Sequence, residues 1–353
     1  MKTVLVLCGG RSAEREVSCV SASAVLKNIP KGWKAELVWI DPAGRWHLQS
    51  SPKALAASKA PAKHAFEKRP AALVPGTPSR LLAGTRALSP DAVFPVLHGP
   101  FGEDGTMQGL LDILGWPYVG SGVLGSSVGM DKEVSKRLAV HAGLPVLPYA
   151  VLTSPEDLAA ARRLRLPVFV KPARLGSSVG VYKVKKAGDL ASAVRKAFRF
   201  DTTVIVEQGI PAREIELAVL GPTEGAKASV AGEIRPNAEF YSYEAKYLDP
   251  NGAELLVPAK ISKAQEAAAR RLALDAFRSH GLHGLARVDF LMDKGTGKLW
   301  FNEVNTLPGF TAVSMYPKLW AATGLPFPRL VAKLLDLAVS RGRAQARLRI
   351  TRD

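Results

Sequence analysis

Short aliphatic runs broken by glycine and polar clusters set the pattern of this chain. The first run, Val4 to Leu7, stops at Gly9-Gly10 and is followed by Ser12-Ala13-Glu14-Arg15-Glu16. Such a run predicts a buried strand, then a glycine turn and a helix start, the opening of an α/β unit. Runs at Leu37–Ile40 and Ala92–Val96 predict further strands. Ser154-Pro155-Glu156-Asp157 offers an N-cap residue, a proline at the first helical position and early acids, which predicts a helix. Val168–Val170 reads as a strand that ends in Lys171-Pro172 and a polar glycine loop, and Val204–Val206 as a strand leading to Glu207. After a break at Gly209–Pro211, Glu214–Leu220 reads as another strand. Ser262-Lys263-Ala264-Gln265 is a capping box ahead of an amphipathic helix that closes at Gly281. Ala286–Met292 and Leu299–Glu303, joined by the polar stretch 293–298, predict a hairpin. No internal repeat is present.

Composition narrows the class. At about 150 residues per domain, a chain of this length holds two or three domains. With 47% hydrophobic and 22% charged residues, the chain belongs with globular proteins. Its 48 basic and 31 acidic residues leave a formal charge of +17, which invites a nucleic-acid reading. Much of that excess sits in two places. Residues 51–90, rich in Ala, Pro, Lys and Ser, carry seven basic residues and one acid and read as a surface segment. The stretch 341–353 carries five arginines and one acid and reads as a frayed helix end. Basic residues interleaved with stacking aromatics, or a recognisable binding motif, are missing, and aromatics make up only 7%. Cys8 and Cys19 are too few and too widely spaced for a disulfide scaffold or a zinc knuckle, which points to a reducing compartment. No apolar run approaches the roughly 20 residues that span a bilayer. The apolar start is also too short for a signal peptide. A cytoplasmic enzyme with no membrane or nucleic-acid partner is expected.

Candidate chemistry gathers on the hairpin. Arg287 and Asp289 are two apart on one strand, and Glu303 and Asn305 two apart on or just past its partner, so each pair shares a face. If the faces coincide, three oxygen ligands and a guanidinium converge. Carboxylates and an amide oxygen suit Mg²⁺; an ordinary polar surface hairpin is the alternative. Arg174-Leu175-Gly176-Ser177-Ser178-Val179-Gly180 could cradle phosphate on backbone N–H groups and hydroxyls, with Lys171 adding charge, or could be a plain turn. Glu244-Ala245-Lys246-Tyr247 could form a closing loop. Gly120-Ser121-Gly122-Val123-Leu124-Gly125 matches G-x-G-x-x-G, but no acid follows about 20 residues on, which argues against a dinucleotide site. A P-loop pattern is missing too. His98, alone after a strand, reads by default as a core or loop residue.

Taken together, these segments resemble D-alanine–D-alanine ligases of the ATP-grasp superfamily. The resemblance rests on Gly9 to Ser18, the run His98-Gly99-Pro100-Phe101-Gly102-Glu103-Asp104-Gly105, Met130-Asp131-Lys132 and the Lys171-to-Gly180 loop. It continues through Tyr243 to Tyr247, Ala286 to Asp289 and Asn302 to Phe310, in family order, from residue 4 to about 335. It implies an α/β (α+β) ATP-grasp fold with an N-terminal Rossmann-like (pre-ATP-grasp) domain. The expected division is 1–120, a central subdomain 121–207 and a C-terminal subdomain 208–353, with the nucleotide between the last two.

The implied reaction condenses two D-alanines through a D-alanyl phosphate, with ATP as co-substrate, for peptidoglycan. Asp289, Glu303 and Asn305 match the family's ligands for two Mg²⁺ ions, with Mn²⁺ an alternative. Lys132 and Lys171 match its α/β-phosphate lysines, Lys246 a lid residue near the γ-phosphate, and Ser178 a phosphate-loop contact. Glu207 and Glu214 match residues on the adenine and ribose side, and Ile210 a backbone contact to adenine. Arg287 and the Gly309 N–H match the groups that stabilise the tetrahedral oxyanion. Glu14, in a trio with Ser177 and Tyr247, matches the holder of the first D-alanine's ammonium. Ser314 matches the contact to the second carboxylate, and His98 a substrate-site histidine. Tyr247 favours an amine over a hydroxyl as the second nucleophile, hence a dipeptide. A homodimer is implied as well. Another ATP-grasp amino-acid ligase is the alternative within the superfamily.

Overall fold

The computed structural model describes residues 1–237, 252–349 and 352. The chain opens with β1 (Lys2–Gly9), the helix Arg15–Lys27, β2 (Trp33–Ile40) and β3 (Trp46–Leu48). β4 (Ala72–Val74), β5 (Arg80–Ala83) and β6 (Arg86–Leu88) then make a small sheet of their own, before β7 (Ala92–Pro95) returns to the first one. The first sheet runs β3-β2-β1-β7, with β1 parallel to both neighbours. Parallel strands are covered on both faces, and β1 shows why its run is unbroken. Val4, Val6 and Cys8 face the helix Arg15–Lys27, while Leu5 and Leu7 pack with Leu48, Leu81 and Leu111 on the other side.

A second sheet of β8 (Tyr149–Leu152), β9 (Val168–Pro172), β10 (Tyr182–Val184) and β11 (Val204–Gln208) is antiparallel in the order β10-β9-β11-β8. The third holds β12 (Ala212–Gly221), β13 (Lys227–Pro236), β14 (Ala253–Leu256), β15 (Gly284–Asp293) and β16 (Leu299–Asn305), ordered β14-β13-β12-β15-β16. β12 is central and buried on both faces. Ile215, Leu217 and Val219 pack under the helix Lys263–Ser279, and Ala218 and Leu220 join the core shared with the first sheet and the helix Phe327–Gln345. The capping box forms as expected: Ser262 Oγ accepts from Gln265 N at 3.2 Å and Gln265 Oε1 from Ser262 N at 3.0 Å.

Three expectations need correction. Residues 154–158 do not start an α-helix; only a 3₁₀ turn forms, at Ala161–Arg163. The Ser154 hydroxyl bonds the Glu156 side chain, and two buried anchors, Leu158 and Ala161, are met by one turn, so nothing extends the helix. Segment 51–90 is more than surface, since the small sheet and the helix Pro52–Ala57 lie in it and Leu55, Leu81 and Ala83 are fully buried. The basic stretch after 340 is not wholly frayed: the last helix continues to Gln345, and Arg341 donates to Gly120 O at 2.6 Å and Tyr118 O at 3.2 Å. The glycines at 120–125 serve packing, as a Cβ on Gly125 would lie 2.9 Å from the Gly281 carbonyl. Among the described residues no helix is long and apolar enough to cross a membrane.

Candidate active site

A cavity of about 750 Å³ lies where the three large sheets meet, within the range of small-ligand sites. Its floor is the hairpin of β15 and β16. Antiparallel register sets Arg287 opposite Asn305 and Asp289 opposite Glu303, so both pairs share the cavity face, as their spacing predicts. Arg287 grips Asp289 with two bonds, Nε to Oδ1 at 2.8 Å and a terminal nitrogen to Oδ2 at 2.6 Å. It also lies 3.1 Å from Glu216, which β12 presents directly opposite Asp289. Burial works against the guanidinium's charge, and the carboxylates of Asp289 and Glu216 outweigh it, so the Arg287 pKa is raised.

These residues fit a hard cation. Asn305 Oδ1 is buried with no hydrogen-bond partner, beside two carboxylates. Among the described residues no three His, Cys, Asp or Glu side chains form a ready cage. Two carboxylates and one amide are a set that suits Mg²⁺, which completes its shell with water and substrate phosphates.

One wall is cationic. Lys132 opens the helix Lys132–His141 behind Asp131, whose carboxylate caps it by accepting from Glu133 N at 3.0 Å and Val134 N at 3.2 Å. Lys132 Nζ donates to Leu175 O at 2.6 Å and lies 3.5 Å from Glu303. Lys171 on β9 and Glu207 on β11 share a face of the second sheet and pair at 2.5 Å. Burial raises the Glu207 carboxyl's pKa, but the ammonium groups of Lys136 and Lys171 prevail and lower it. Past Glu207, Ile210 and Glu214 line the same side.

The loop after β9 closes over this wall. Ser177 and Ser178 have φ of 53° and 60°, a left-handed conformation that non-glycine residues adopt rarely and at a cost. Gly180 must stay glycine, because a Cβ there would meet Phe200 and Pro172 at 2.9 Å. The turn directs the Ser177 hydroxyl to donate to Glu14, which stands at the N-cap of the first helix.

At the far end, His98 Nδ1 lies 3.0 Å from Leu307 O. A carbonyl only accepts, so the proton sits on Nδ1 and Nε2 is left to accept from Ser21 Oγ at 3.3 Å. Burial lowers the pKa of His98, so the ring is neutral. Ser21 also accepts from Phe310 N at 3.2 Å, tying the first helix to the loop that carries Gly309. A Cβ on Gly309 would fall 2.7 Å from Ser314 Oγ, so the backbone there is open to close approach. Every described residue given a substrate, nucleotide, metal or oxyanion role lines the cavity; Lys246 and Tyr247 lie outside the described residues.

Sequence reasoning passed over Glu103, Glu216, Ser21 and Lys136. Glu103 belongs to a motif carried by the resemblance, yet its isolation is visible only in three dimensions. One oxygen accepts from Gly99 N at 2.9 Å and the other makes no hydrogen bond. Burial, reinforced by the charge of Glu14, pushes its pKa up to about 8. Lys136 did leave a signal: it follows Lys132 by four residues and so shares its helix face.

Comparison with known proteins agrees with this geometry. Residues 3–121 match the family model described as D-ala D-ala ligase N-terminus, and residues 138–336 the one described as D-ala D-ala ligase C-terminus. The chain is 49% identical to D-alanine–D-alanine ligase A of Bradyrhizobium diazoefficiens, over 98% of this chain and 97% of that one. It is 42% identical to the D-alanine–D-alanine ligase of Treponema denticola, over 99% of each. Among solved structures, the D-alanine–D-alanine ligase of Coxiella burnetii superposes with a TM-score of 0.86 at 36% identity, covering 98% of this chain and 96% of that one. The VanG D-Ala:D-Ser ligase of Enterococcus faecalis does so at 0.85 and 34%, covering 96% and 99%. With both halves matched and full-length relatives well above 30% identity, the chain belongs to the D-alanine–D-alanine ligase family.

Proposed function

We propose that the chain is an ATP-dependent ligase that joins two D-alanines into D-alanyl-D-alanine for peptidoglycan, releasing ADP and phosphate. One observation carries the reading: the contact of Ser177 with Glu14 across 163 residues of chain. It sets a carboxylate suited to an ammonium group beside a loop suited to phosphates. An amino acid held there by its amine has its own carboxylate near the terminal phosphate of a nucleotide on Lys132 and Lys171.

In the first step a carboxylate oxygen of that D-alanine bonds to the γ-phosphorus and ADP departs with the broken bond's electrons. In the second, the amine of another D-alanine bonds to the acyl carbon, loses a proton and expels phosphate. Negative charge grows in both steps, and oriented cations and donors answer it. Lys132 and Lys171 face the phosphates, with Ser178 in the loop and Lys246 from the lid. Arg287 and the Gly309 N–H receive the tetrahedral oxyanion, while Asp289 and Glu216 fix the guanidinium plane. Glu14, His98 and Ser314 orient the two amino acids, with Tyr247 completing the trio at Glu14. Glu207, Ile210 and Glu214 take the base and ribose. Two Mg²⁺ ions, held by Asp289, Glu303 and Asn305, would neutralise phosphate charge when bound.

We also infer a three-part division at residues 120 and 207, a cytoplasmic location and a homodimer. Exposed Ile113 and Leu124, on neighbouring helices, support a partner surface. A D-alanyl-D-serine ligase is the second reading, because the D-Ala:D-Ser ligase superposes about as well.

The test is ADP release with D-alanine, L-alanine, D-serine or no amino acid, with product masses read in parallel. D-alanine-dependent release and the dipeptide mass are expected. Release indifferent to D-alanine would sink the proposal, and a mixed D-alanyl-D-serine product in preference to D-alanyl-D-alanine would install the second reading.

A further inference from the structure

Lys136 is fully buried on the helix Lys132–His141, one turn beyond Lys132, and it does not line the cavity. Its Nζ contacts Glu207 Oε1, while Lys171 Nζ sits 2.5 Å from Glu207 Oε2. The face of Tyr149 adds a weaker cation partner, 5.8 Å from Nζ. One carboxylate is thus shared by two ammonium groups, only one of which faces the cavity.

That arrangement decides what charge a nucleotide meets. Alone with Lys171, the Glu207 carboxylate would cancel it, and the pair would present no net charge to a polyphosphate. With Lys136 behind it the group of three carries one net positive charge, and of its two ammonium groups it is Lys171's that faces the cavity. Burial acts against both ammonium groups. For Lys171 the charge of Glu207 more than offsets it and the pKa is raised. For Lys136 burial prevails over the pull of Glu207 and the pKa is lowered, the ion pair with Glu207 holding its charge. A merely packed ion pair would not need the second lysine, since burial makes extra charge costly.

We propose that Lys136 is a positioning residue: by taking up one oxygen of Glu207 it leaves the positive charge of Lys171 free to bind the nucleotide phosphates. The inference rests on the proposed function in taking Lys171 as a phosphate contact. It adds a residue that touches neither substrate nor nucleotide.

The test compares wild type, Lys136→Met and the charge-conserving variant Lys136→Arg. Calorimetric titration with a non-hydrolysable ATP analogue and Mg²⁺ gives nucleotide affinity without turnover, and ADP-release kinetics give the KM values for ATP and D-alanine. Lys136→Met should weaken analogue binding and raise the ATP KM about tenfold or more, which is about 1.4 kcal/mol, and leave the D-alanine KM within about twofold. Lys136→Arg keeps a cation on Glu207 in a different side chain, so it should recover at least about fivefold of the affinity lost in Lys136→Met; packing alone predicts no such rescue. A loss below tenfold, an equal loss for D-alanine, or no recovery in Lys136→Arg overturns the inference. If Lys136→Met does not fold, Lys136→Gln, which is also uncharged, takes its place under the same criteria. Wild type that binds the analogue without D-alanine-dependent turnover fells the proposed reaction and leaves this inference open to the same titrations. Wild type that binds no analogue overturns both.

Discussion

Glu103 shows how position alone can give a common side chain an uncommon state. Its carboxyl is buried and has an anionic neighbour in Glu14, against which the Gly99 N–H counts for less, so its proton is held to about pH 8 against an ordinary 4.5. The folded protein therefore keeps a proton that the unfolded chain gives up. The stability this group contributes is complete below about pH 4.5 and is lost as pH rises toward and through about 8, because the folded state binds more protons across that window. Glu103→Gln removes the titration and keeps the shape. Denaturant unfolding between pH 5 and 8 should therefore show a shallower decline in the variant, by up to about 1.4 kcal/mol per pH unit. Equal slopes in the two proteins would rule out a raised Glu103 pKa. The same residue marks a limit of reading a sequence. Arg287, Asp289, Glu303 and Asn305 were legible because strand pairing converts a spacing of two into a shared face. The states of Glu103 and Lys136 depend on burial together with Glu14 and Glu207, 89 and 71 residues away, and no local spacing carries that information.

Elements were legible where their signal was local and redundant. The helix Lys263–Ser279 has its cap, its reciprocal glutamine and a left-handed Gly281 after its end, with φ of 60°, all written in sequence. The segment from Ser154 shares the opening letters but lacks the long apolar face that holds a helix down, and tertiary packing supplies most helical stability. Small strands such as β5 were lost in an alanine- and lysine-rich stretch because only Leu81 and Ala83 turn inward there. The capping box can be weighed directly. Replacing Ser262 by Ala removes the acceptor for Gln265 N and should cost about 1 kcal/mol, felt first at the start of that helix. Hydrogen exchange at residues 265 and 266 should speed up about fivefold, with the rest of the protein unchanged. Unaltered exchange there would mean the first turn is held by something other than its cap.

At the scale of the molecule, the charge of +17 separates into kinds. Lys132, Lys171 and Arg287 face the cavity, and many others, such as Arg343 and Arg347, are solvated. Arg341 is a third kind. It sits late in the last helix, stacks 4.2 Å over the Tyr118 ring and donates to the carbonyls of Tyr118 and Gly120, where the first sheet's region gives way to the rest of the chain. The helix lies so close there that a Cβ on Gly342 would stand 2.6 Å from Pro117. Burial, aided by the Arg341 charge, lowers the neighbouring His283 pKa to about 4, so a neutral imidazole adds no repulsion at neutral pH. The end of the chain thus clamps its beginning, and the cavity lies among the layers so joined. Arg341→Gln should strip both carbonyls of a charged donor and cost about 1.5–3 kcal/mol, lowering the thermal midpoint by a few degrees. Arg347→Gln changes net charge by the same amount at an exposed position, where a surface substitution stays within about 0.5 kcal/mol. Equal midpoints for the two variants would show that overall charge, rather than the clamp, sets the effect; a fall confined to Arg341→Gln assigns it to the two carbonyl bonds and the ring beneath them.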